Sequence, residues 1–96
     1  MTRNSRLEDG LAVLRLAARG MSNPEIGAAL YITAETVKGR LHRLYTILGA
    51  VNLAHAVVIA GVERLLSPED LRAAVATRRP GWSEDGITQR RQQKEA

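Results

Sequence analysis

The chain has no cysteine and no phenylalanine, and only one tryptophan and two tyrosines. Without cysteine there is no disulfide, no thiolate metal site and no cysteine nucleophile. The two histidines, His42 and His55, have no flanking carboxylate pair, so no metal is expected. With so few aromatic residues the core has to be built from Leu, Ile, Val and Ala, which suits thin, closely packed helices. There is no glycine-rich phosphate loop and no nucleophile beside a base, so neither an enzyme nor a cofactor is expected. No stretch approaches the roughly 20 apolar residues of a membrane span. The opening MTRNSRLEDG lacks a signal-peptide core. A soluble cytoplasmic protein without a membrane partner is the expectation. What the sequence does have is positive charge: a net +4 on 96 residues, with a pI near 10.3. One small domain with that balance favours anionic partners, nucleic acid first.

The chain is organised around one stretch, TAETVKGRLHRLYTILG, Thr33 to Gly49. Val37, Leu41, Leu44 and Leu48 recur at helical spacing and predict one buried stripe. Lys38, Arg40, His42 and Arg43 fall on the other face. Thr33 is a natural N-cap and Gly49 a natural C′ residue, so the helix is expected over Ala34–Leu48. A helix that is apolar behind and cationic in front is suited to a DNA major groove.

The remaining segments read as support for that helix. Ser5 and Glu8 have capping-box spacing, and Leu7, Leu11, Leu14 and Ala18 continue a helix from about Arg6 to Arg19, closed by Gly20. Ser22-Asn23-Pro24-Glu25 is a second capping box, opening a short helix from about Asn23 to Leu30 with Ile26 and Leu30 inward. Its Gly27, Ala28 and Ala29 allow close approach of another helix. Only Tyr31 and Ile32 then precede Thr33, a turn tight enough for a helix-turn-helix. Tyr31 in the turn is either a lid on the core, the expected reading, or a DNA contact. Asn52 predicts the cap of a fourth helix, about Leu53 to Leu66, which is apolar on more than one face. Its excess is accounted for either as internal core or, with Ala54, Val58, Val62 and Leu65, as a seam to a second copy. Ser67-Pro68-Glu69-Asp70 starts a fifth helix, Pro68 to about Thr77, anchored by Leu71 and Val75. That helix is a possible cover for the seam. From Arg78 the chain is polar and charged, a tail expected to be disordered, with Trp82 unexplained within it.

Leu11 to about Leu66 resembles the LuxR-type (GerE-type) helix-turn-helix domain of bacterial transcription regulators. The resemblance rests on VLRLAARGMSNPEIGAAL, YITAETVKGRLHRLYTILGA and NLAHAVVIA, in that order and at the family's spacing. It implies an all-α fold with a four-helix domain over 6–66; the residue patterns add a disordered start over 1–5, a short helix over 67–77 and a flexible charged tail over 78–96. It implies double-stranded DNA as partner and a homodimer formed through the fourth helix on a two-fold site. It also implies that Thr36, Lys38, Gly39 and His42 face DNA, Lys38 matching the family's lysine and Thr36 a phosphate-contacting residue. There are departures. The family's opening Leu-Thr-x-Arg-Glu box is here Arg6-Leu7-Glu8-Asp9-Gly10, so its glutamate contact is absent. Arg40 stands where the family often has His, and Gly39 offers no side chain where a base is often read. With five residues ahead of the first helix, no upstream sensing domain is expected, which leaves concentration as the control.

Lys38 and His42 are therefore expected at base edges, with Thr36, Arg40 and Arg43 on phosphates. Asn23 and Pro24 bring the start of the second helix to the backbone. Gly39 is either a close backbone approach to a base or a tolerated glycine at an exposed site. His42 is either a reader or an idle surface histidine. A different class of function stays open. In it the fourth helix and Trp82 pair with another regulator or RNA polymerase, and DNA is held weakly.

Overall fold

The computed structural model describes residues 5–87, and these are all-helical apart from turns. Five helices follow one another: α1 (Ser5–Ala17), α2 (Asn23–Leu30), α3 (Ala34–Leu48), α4 (Leu53–Val62) and α5 (Pro68–Ala76). One further helical turn covers 84–87. Residues 1–4 and 88–96, with Arg90, Arg91 and Lys94 of the expected tail, lie outside the described residues.

The helix starts follow from local side-chain chemistry. Each orphan N–H of a first turn needs an acceptor. The Ser22 hydroxyl accepts from the Glu25 amide at 3.3 Å, and Glu25 accepts in return from the Ser22 amide at 2.9 Å. The Thr33 hydroxyl accepts from the Thr36 amide at 3.1 Å, Asn52 from His55 at 2.9 Å, and Ser67 from Asp70 at 3.1 Å. The expected first box is different, because Ser5 is itself helical. α1 also ends earlier than Arg19, at Ala17, with Gly20 in the left-handed region (φ 85°) completing the turn.

α1, α2 and α3 enclose the core, and α3 packs most extensively against α1. Val13, Leu14, Ile26, Val37 and Leu44 are wholly buried, together with Ala56 and Ala60 from α4. The α1–α3 crossing is close because Gly10 has no side chain. A Cβ there would lie 2.8 Å from the Cβ of Leu44. Gly27 serves the turn rather than a neighbouring helix, since its Cβ would fall 2.6 Å from the Ile32 carbonyl oxygen.

Four expectations are corrected. Tyr31 is not a core lid. It closes α2 in the left-handed conformation (φ 59°), which turns the ring outward to 95% exposure. α4 stops at Val62 rather than Leu66. Arg64 takes φ 58°, and the amides of Leu65 and Leu66 both donate to the Ala60 carbonyl, which folds the chain back. Leu66 thereby enters the core at 2% exposure. Leu65 lies past the end of α4 and packs half-buried against the core, so it does not continue the helical row of Ala54, Val58 and Val62. Finally, only half of the expected anchoring of α5 is seen: Leu71 is partly covered, its Cδ1 3.9 Å from the position of a Gly61 Cβ, whereas Val75 is exposed, and no residue of α5 is fully buried. What ties it down is Asp70, which accepts from Arg15 Nε of α1 at 3.2 Å while also accepting from the Ser67 amide at 2.9 Å.

Candidate nucleic-acid interface

The front of α3 is defined by what its back buries. Val37, Leu41 and Leu44 face α1 and α2, with Leu48 partly buried in the same stripe. At about 100° per residue, Lys38 and His42 lie about 40° apart on the outer face, and Gly39 and Arg43 form a second such pair beside them. Lys38, His42 and Arg43 are exposed, and no part of the described chain covers them. Arg40 differs from the flat reading of the sequence. It lies about 160° round from Lys38, half-buried on the opposite flank. The cations therefore straddle the helix rather than forming a single line.

Asn23, Lys38 and His42 come together. With Leu41, Tyr45 and Leu53 they line one shallow depression, where the start of α2, the middle of α3 and the start of α4 meet. Tyr45 was not singled out from sequence. Its ring lies 6.2 Å from that of His42, and burial raises the pKa of its hydroxyl. Arg40 and Arg43 are not part of this depression.

Thr36 and Thr33 share a hydroxyl–hydroxyl hydrogen bond of 2.9 Å at the N-terminus of α3. When Thr33 donates, the Thr36 hydroxyl proton is free for an outside acceptor; when Thr36 donates, it is not. The site can thus offer an anion either that proton or only the helix N-terminus. Glu35 was also passed over in the sequence. It is exposed in the first turn of α3, three residues before Lys38, and so shares the outer face.

Gly39 has nothing within 4 Å of the position a Cβ would occupy. Unlike Gly10 and Gly27, it is not required by any contact inside the fold. Among the described residues no group of His, Cys, Asp or Glu is arranged to hold a metal, and no single helix is long and apolar enough to cross a membrane.

Comparison with protein families matches residues 10–60 to the bacterial regulatory proteins of the luxR family, the GerE domain. The chain belongs to the LuxR family. The match begins in α1 and ends in α4, so it takes in the whole helix-turn-helix and the start of the apolar row, and it leaves α5 outside. A LuxR-type domain is a DNA-binding regulatory domain and not an enzyme family, which fits the uncovered cationic front of α3. Searches of curated proteins and of solved structures find no match.

Proposed function

We propose that this LuxR-type chain is a sequence-specific transcription regulator that binds a two-fold DNA site as a dimer, inserting α3 into the major groove. The observation that supports this best is the division of α3: three residues of its stripe are buried, and the opposite face carries Lys38, His42 and Arg43 in the open. Lys38 and His42 face base edges, where a lysine or a protonated imidazole donates to guanine acceptors. Arg40 and Arg43, three residues apart and therefore on the same side of the helix, turned away from Lys38, hold phosphates along one wall of the groove. Thr36 and the start of α2 at Asn23 hold the backbone, helped by the partial positive charge of the helix N-termini. Gly39 lets the helix backbone approach the bases, since the fold itself makes no use of the missing side chain. Glu35 is suited to accept from a cytosine amino group.

The dimer reading rests on Ala54, Val58 and Val62. Val58 is 61% exposed and Val62 75%, on a helix whose other side is buried. Single exposed valines are ordinary; a row at helical spacing is a surface waiting for a partner.

Selecting duplexes from a random pool with the full chain tests the proposal. The expected winners are palindromic, bind far more tightly than random duplex, and lose affinity steeply with salt. A C·G preference among them that Glu35→Gln abolishes would place the carboxylate at a base. No enrichment over random sequence at low salt would overturn the proposal.

A further inference from the structure

Lys38, His42 and Tyr45 stand at i, i+4 and i+7 along α3, on one side of the helix. They differ in how firmly they are held. His42 is exposed, and among the described residues no hydrogen bond or ion pair fixes its imidazole. Tyr45 is half-buried and packed against the core. With Leu41 and Leu53 it forms part of the wall of the depression that also takes in Asn23, Lys38 and His42. The His42 and Tyr45 rings have centroids 6.2 Å apart and are tilted by 34°. Favourable aromatic pairs lie in that range, about 4.5–7 Å. A ring anchored in the fold therefore stands beside a ring that nothing else holds.

A side chain that reads a base gains from being in place before the duplex arrives, because ordering it on binding takes affinity away. Tyr45 is itself badly placed to read. It lies about 10 Å further along the helix axis than Lys38, and in a helix-turn-helix the N-terminal part of the second helix meets the base edges. We propose that Tyr45 is a positioning residue for base readout: its ring holds the His42 imidazole toward the groove and touches no base. This rests on the DNA reading proposed above, in which His42 faces a base edge.

Fluorescence anisotropy of the full chain, on the selected duplex and on a random one, tests it. The proteins compared are wild type, Tyr45→Phe, Tyr45→Leu, His42→Ala and the double variant His42→Ala/Tyr45→Leu. Thermal melts by circular dichroism check that each is folded. Tyr45→Leu is expected to raise Kd on the selected duplex about two- to tenfold, the worth of one aromatic pair, and to leave the random duplex unchanged. Tyr45→Phe keeps the ring and is expected to match wild type. In the His42→Ala background Tyr45→Leu should cost nothing more, because the lost ring has nothing left to hold. A loss of equal size in both backgrounds, or on both duplexes, would make Tyr45 a packing residue and overturn the proposal. Unchanged binding by Tyr45→Leu would overturn it too. A loss for Tyr45→Phe as large as for Tyr45→Leu would put the hydroxyl on DNA directly, with the same consequence. Should Tyr45→Leu not fold, nuclear Overhauser contacts between the two rings in the unbound wild-type chain decide: they are expected, and their absence overturns the proposal. If His42→Ala binds the selected duplex as wild type does, there is no reader to position, and this inference falls alone. A wild-type chain that selects no duplex overturns the DNA reading and this inference with it.

Discussion

Four glycines sit inside the five helices, Gly10, Gly27, Gly39 and Gly61, and their surroundings differ. Gly10 lets α3 approach α1, so Gly10→Ala gains helix propensity but drives a Cβ to 2.8 Å from Leu44. Overpacking of that kind costs about 1–3 kcal/mol, against a propensity gain of at most about 1 kcal/mol. A net loss of stability is expected in urea melts. Gly39 has open space around it, so Gly39→Ala should raise stability by up to about 1 kcal/mol while weakening DNA binding if the backbone approaches a base. Tyr31 presents the opposite problem. A non-glycine residue in the left-handed region costs roughly 1–2 kcal/mol, and its ring makes up none of that by burial. Tyr31→Gly should therefore raise the melting temperature, a gain reduced by the added freedom of glycine in the unfolded chain. From sequence, Tyr31 reads as a lid because aromatic residues tend to be inside. The left-handed turn that reverses its direction is carried by no local signal, since glycine or asparagine is the usual residue there.

At the scale of elements, the helix starts were legible and some of the ends were not. Ser22, Thr33, Asn52 and Ser67 cap as their spacing predicts, because a cap is a contact between residues two or three apart. α3 matches at both ends, Gly49 supplying an unambiguous stop. α4 was read too long because the apolar pattern runs on through Leu66, and the stop at Arg64 is an arginine in a conformation that usually marks glycine. The anchor of α5 was invisible for another reason: Arg15 and Asp70 are 55 positions apart, and no periodicity links them. That anchor has a pH signature. The Ser67 amide, opposed by burial and reinforced by Arg15, holds the Asp70 carboxyl below its ordinary value. A lowered carboxylate stabilises the fold fully above the unfolded value of about 3.9, and this contribution is lost as pH falls through the lower folded value. Amide exchange of α5 should accordingly be slower in wild type than in Asp70→Asn at neutral pH, and the difference should close as the pH is taken below the lowered Asp70 value. An equal exchange rate at neutral pH would show that Arg15 and Ser67 do not hold α5.

For the molecule as a whole, the sequence is most informative about the exposed cationic face of α3 and least about what surrounds that face. Lys38, His42 and Arg43 are exposed as the 3.6-residue period requires, because Val37, Leu41 and Leu44 leave only one way for the helix to sit. Arg40 departs because the period itself puts it at the edge of the buried stripe, three residues after Val37 and four before Leu44. The convergence of Asn23 with Lys38 and His42 needed the crossing of α2 and α3, which spacing does not supply. The account stands on Lys38 at a base edge. The most direct test is fluorescence anisotropy of wild type and Lys38→Ala, at one salt concentration, on the selected duplex and on a random one. The expected result is a loss of about 1–3 kcal/mol on the selected duplex with a much smaller change on the random one; equal affinity of the two proteins for the selected duplex would contradict it.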